Sequence, residues 1–74
     1  MINEHDRVIL KNNLPDHHLK AGDVGVVVHI YRGGEAYELE FFTVDGRTID
    51  VVTLSSAAVR PVSERDILHA RLAE

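Results

Sequence analysis

The chain has no cysteine, which excludes disulfides, a thiolate nucleophile and a cysteine-bound zinc ribbon. It has no tryptophan, and its aromatics are two tyrosines and two phenylalanines, a thin supply for stacking bases. Basic residues are in deficit: 8 lysines and arginines stand against 12 acids, for a formal net charge of −4. A general binder of phosphate backbones shows the opposite balance. An acidic chain suits a basic partner, or simply solubility. No apolar run approaches the roughly 20 residues that a membrane helix needs. The opening segment, MINEHDRV, mixes charges and holds no apolar h-region, so no secretory signal is expected and the cytoplasm is the expected compartment. Internal repeats and low-complexity segments are both missing.

What remains is the make-up of one small domain. Seventy-four residues, 45% of them hydrophobic, are enough for a modest core but leave much of the chain's surface in water. The first apolar run, Arg7 to Leu10 (RVIL), is short and β-branched and reads as a strand. Lys11 to Asp23 follows with Asn12, Asn13, Pro15, Asp16 and Gly22, turn residues that mark the longest loop. Val24 to Arg32 (VGVVVHIYR) is a second strand. Its even positions, Val24, Val26, Val28 and Ile30, form one uniformly apolar face, and its odd face carries Gly25, Val27, His29 and Tyr31. A glycine inside a strand signals a bulge or the close approach of another backbone or side chain.

Gly33-Gly34 predicts a tight hairpin, since glycine takes the positive φ of a primed turn. The next strand, AYELEFFT, alternates cleanly: Tyr37, Leu39 and Phe41 point one way, Glu38 and Glu40 the other. Val44 to Gly46 (VDG) is a second hairpin signal. RTIDVVTL is a fourth strand with Ile49 and Val51 inward by alternation; Leu54 falls out of phase, which calls for a bulge near Thr53 or departure from the sheet. A short fifth strand is expected at Val59–Arg60, confined to an edge by Pro61.

The tail changes period. Ser63 is a good N-cap, Glu64 and Asp66 suit a first turn, and Ile67, Leu68 and Leu72 share one helical face, with Ala70 and Ala73 permissive. A helix this short is marginal alone and must dock on the sheet or on a partner. The expected architecture is therefore mainly β: a small SH3-like barrel of four to five antiparallel strands over residues 1–62, with a C-terminal α-helix over 63–74.

Candidate chemistry is sparse. His17 and His18 are adjacent in the long loop, between Asp16 and Asp23, but neighbouring residues of an extended chain point apart, and a metal needs three or four converging ligands. His29 reads as a rim residue; His5 and His69 carry no spacing. Glu38 and Glu40 lie about 7 Å apart on one strand face, a separation that also occurs in acid–base pairs. A solvated outer face suits them better, and such a row can meet a basic partner. Glu35, Asp45 and Asp50 would extend that acidic character. Ser55-Ser56 lacks a nucleophile context, and the glycines fit no phosphate loop. No enzyme activity, cofactor or metal is expected. For nucleic acid, Lys20, Arg32 and Tyr31 are the candidate contacts.

The residues also carry a resemblance. D-R-V at Asp6 to Val8, L-P at Leu14-Pro15, LKAGDVGVVVHIY, AYELEF and VRPV together resemble the bacterial family known as domain of unknown function 4926, from about Asp6 to about Val62. The resemblance implies an SH3-like barrel and no assigned activity. Through the family's association with toxin genes, it also implies an antitoxin or immunity partner. The G-D-x-G-x-V piece is similar to KOW-type elements and to the barrel of nitrile hydratase β-type subunits.

The resulting expectation is a non-enzymatic protein-binding module using Glu38 and Glu40, with Ile67, Leu68 and Leu72 as an apolar contact or homodimer surface. The alternatives are a KOW-like nucleic-acid module and an accessory subunit of an enzyme.

Overall fold

The computed structural model describes residues 1–73. Five antiparallel strands form one open sheet in the order β4-β3-β2-β1-β5. They are β1 (Arg7–Leu10), β2 (Val24–Tyr31), β3 (Ala36–Phe42), β4 (Thr48–Ser55) and β5 (Val59–Pro61). Short 3-10 turns stand at Pro15–His17 and Ser56–Ala58. Each strand lies where β-branched and alternating residues demand it, and Pro61 does close an edge strand.

One face of the sheet is covered. Val8, Leu10, Val27, Tyr37, Leu39, Phe41, Val52 and Val59 form its core. The lid is the long loop after β1. Leu14 and Leu19 exchange backbone hydrogen bonds of 2.8 and 3.1 Å, which closes the loop and sends the Leu19 side chain into the core. Asn13 and Asp23 accept the N–H groups of Ala21 and Lys20, so the loop's polar groups are satisfied locally.

β3 behaves as alternation requires: Tyr37, Leu39 and Phe41 are buried, while Glu38 and Glu40 are half-exposed on the other face. β2 does not keep a single phase. Val27 is fully buried, Val24 and Val28 are exposed, and the pairing with β3 slips between Val27 and His29. Val28 is the extra residue of a bulge, after which Ile30 turns towards the core. The uniformly apolar even face is thus not the buried one. In β4 the expected inward pair is corrected. Ile49 and Val51 are exposed, and the buried phase is Val52, with Leu54 packed against the core. The pairing slips between Phe41 and Phe42, where Ile49 is the extra residue, so the irregularity lies at the start of β4 rather than near Thr53.

The expected helix over 63–74 is not formed by the described residues. Its N-terminal signal does act: Ser63 Oγ accepts the Arg65 N–H, and the Asp66 carboxylate accepts the Ser63 N–H at 2.7 Å, a capping box that closes one turn. Nothing propagates it. Isolated short helices are unstable in water, and Ile67, Leu68 and Leu72 find no groove, each being more than 90% exposed. Instead, Arg71 reaches back to Asp23 (Nε–Oδ1 2.9 Å) and to the His18 carbonyl, drawing the tail across the loop. No described helix is long and apolar enough to cross a membrane.

Candidate functional site

The uncovered face of the sheet carries the groups with chemistry. Cross-strand pairing sets His29 opposite Glu38 and Glu38 opposite Thr53; the next row sets Arg7 opposite Val26, Val26 opposite Glu40 and Glu40 opposite Val51. Both glutamates are held by neutral donors. The Tyr31 hydroxyl donates to Glu38 Oε1 at 2.8 Å, and the Thr48 hydroxyl donates to Glu40 Oε2 at 2.6 Å. Among the described residues neither carboxylate has a lysine or arginine within 4.0 Å. The hydrogen bond to Glu38 also raises the Tyr31 hydroxyl above its ordinary pKa. Tyr31 in turn meets His29 edge-to-face, with centroids 4.5 Å apart. The result is two oriented, partly exposed carboxylates beside an aromatic pair.

The other sequence candidates scatter. Lys20 lies in the loop before β2 and Arg32 in the turn after it, so the length of β2, roughly 25 Å, separates them. Ile67, Leu68 and Leu72 line no helical face, and their side chains project from the tail. Asp50 does not join the acidic row. It sits opposite Phe41, on the covered side, where its Oδ2 meets His17 Nδ1 at 2.6 Å. That contact with His17 holds the Asp50 carboxyl below the usual range. Asp45 is turned inward on its own hairpin by the Thr43 hydroxyl. His17 and His18 diverge: the first goes to Asp50, the second lines a shallow cavity beside Asn13 and Arg71. Among the described residues no three histidine or acidic groups converge. Burial alone would raise Asp23, but the Arg71 guanidinium prevails and lowers it.

The chain matches the family model for a domain of unknown function (DUF4926) over residues 4–61. It belongs to this family. Neither a curated protein nor a solved structure matches the DUF4926 chain. The matched segment runs from the residues before β1 to the end of β5, so the whole sheet and the Glu38–Glu40 face lie inside the DUF4926 domain and the tail lies outside it.

Tyr31–Glu38 and His17–Asp50 are among the contacts that escaped sequence reasoning. Tyr31–Glu38 was readable in principle, because the hairpin register brings the two residues to neighbouring positions on one face. His17–Asp50 joins a loop to a strand 33 residues away, and no local pattern announces it.

Proposed function

We propose that the domain is a non-enzymatic protein-binding module whose uncovered sheet face takes a basic partner, as an antitoxin or immunity-type protein covers a basic site on its neighbour. The observation that carries this reading is the pair Glu38 and Glu40. Both are fixed in direction by hydroxyl donors, both are partly exposed, and among the described residues neither is neutralised by a nearby cation. Carboxylates already oriented lose little entropy on pairing with an incoming arginine or lysine, and an acidic surface speeds that encounter. The exposed Val51, opposite Glu40 on the edge strand β4, supplies apolar contact at the border of the patch.

In this reading the open sheet is bent in the SH3-like manner, with the long loop after β1 in the place where such barrels carry theirs. A KOW-like role is less well supported. Lys20 and Arg32 stand at opposite ends of β2, and the Tyr31 hydroxyl is committed to an acid that would repel phosphate. An accessory-subunit role would use the same face and differ only in the partner.

The test begins with capture of the partner from the organism's own lysate after nuclease treatment. The affinity of the purified pair is then measured against salt. Glu38→Gln with Glu40→Gln should weaken binding by roughly tenfold or more and flatten its salt dependence. An unchanged affinity overturns the assignment; recovery of nucleic acid in place of protein moves it to the KOW-like alternative.

A further inference from the structure

The two edges of the sheet are protected unequally. β5 is three residues long, ends in Pro61, and its Arg60 is engaged by Asp66 at 2.6 and 3.0 Å. β4 is eight residues long and contains neither proline nor lysine; its only charge is Asp50. An edge of that kind offers unpaired N–H and C=O groups as a template for another strand.

The phase of those groups follows from the ladder. Ser56 N donates to Glu35 O at 2.9 Å, which fixes the hydrogen-bonded positions at that end of the β3–β4 pair. Bonded and non-bonded pairs alternate along antiparallel strands. The register between Ala36–Ser55 and Phe41–Asp50 is unbroken, so Leu54, Val52 and Asp50 bond to β3. Val51, Thr53 and Ser55 therefore turn their backbone groups to the free edge. One of these donors is already occupied. Val51 N donates to Asp50 Oδ1 at 2.8 Å, and the other oxygen of that carboxylate is held by His17 Nδ1 at 2.6 Å. A charged side chain of the strand, steadied by the long loop, thus sits over the edge.

We propose that the outer edge of β4 is a pairing surface for a second copy of this chain, kept closed by Asp50 and His17. The strand fits itself. With Thr53 on a two-fold axis, antiparallel pairing keeps every side chain on its own face. Val52 then meets Leu54 of the partner subunit, Val51 meets Ser55 of the partner subunit, and Asp50 meets Ser56 of the partner subunit. No like charges oppose each other, and both copies present the same patch. This ladder requires the Val51 N–H, the donor that Asp50 holds. The claim is independent of the Glu38–Glu40 reading, which concerns a face and not an edge.

The test is sedimentation velocity of the full chain over a wide concentration range, with backbone amide exchange. Asp50→Ala should dimerise at concentrations where the natural chain is monomeric, a tightening of at least roughly tenfold, with new protection at Val51 and Thr53. Adding Thr53→Lys should return it to monomer, because lysine on an edge opposes pairing. His17→Ala, which leaves β4 unchanged, should shift the equilibrium in the same direction as Asp50→Ala and by less. Should Asp50→Ala fail to fold, His17→Ala decides the proposal in its place. A folded variant that stays as monomeric as the natural chain overturns the proposal, as does a dimer that survives Thr53→Lys.

Discussion

A Cβ built on Gly25 would lie 2.8 Å from both Cε2 and Cζ of the Phe41 ring, and Phe41 is itself buried at 2% exposure. The ring cannot swing away without opening the core. Gly25→Ala should therefore destabilise the fold by about 1–3 kcal/mol, the usual cost of overpacking, despite alanine's smaller entropy loss in a strand. Denaturant titration reads this as a lowered midpoint, and an equal or higher midpoint refutes the packing argument. Arg32 is strained in another way. The β2–β3 turn holds Arg32 at φ 48° and Gly33 at φ 69°, with Gly34 N bonded to Tyr31 O at 3.0 Å. Gly34 is also positive, at φ 111°, and Glu35 N bonds the same Tyr31 carbonyl at 3.1 Å, so both glycines take the positive φ expected of them and Arg32 is drawn into the left-handed region beside them. Arginine tolerates that conformation poorly and asparagine well. Arg32→Asn should raise stability by up to about 1 kcal/mol, seen as a higher melting temperature. Both positions carried legible signals in the sequence, a glycine inside a strand and a glycine pair in a turn. Neither signal named the partner or the register.

At the scale of elements, the strands were readable and their buried phases only in part. β3 alternates acids with apolar residues, so only one phase is affordable. In β2, Val24, Val26, Val27 and Val28 offer both faces as apolar, and the phase is decided by where Val27 meets Leu39 and Val28 bulges. In β4, Ile49 is the bulged residue, which puts Val52 and Leu54 in the buried phase together. The tail shows the reverse limit. Its capping box forms, but an amphipathic pattern stabilises a helix only if a surface receives the apolar face. Ile67→Ser with Leu68→Ser should accordingly leave stability within about 0.5 kcal/mol and far-UV circular dichroism unchanged. A loss of several degrees in melting temperature, or of helical signal, would show that these side chains are buried in solution.

For the whole molecule, charge sets the response to acid. Asp23, Asp45, Asp50 and Asp66 are all held below the ordinary aspartate range. The opposing effect of burial on Asp23 is outweighed by Arg71; the Thr43 hydroxyl acts on Asp45, the contact with His17 on Asp50 and the Arg60 fork on Asp66. A group whose folded pKa is depressed binds fewer protons folded than unfolded. Its stabilisation is complete above the unfolded value, about 3.9, and is lost as pH falls through the folded values below it. The melting temperature should thus be nearly level above about pH 5 with respect to these groups and fall steeply below about pH 4. A flat profile there would mean that the four contacts are broken in solution.

Sequence alone located the strands along the chain, though it left their number at four to five, and it determined both hairpins, the edge position of β5, the outward glutamates of β3 and the family, because each rests on residues near one another in the chain. Tertiary structure decided the phases of β2 and β4, the absence of a described helix after Ser63, the burial of Leu19, and the pairings His17–Asp50 and Arg71–Asp23. These depend on which surfaces meet across the sheet and loop, and a local pattern of apolar and polar residues is compatible with more than one such meeting.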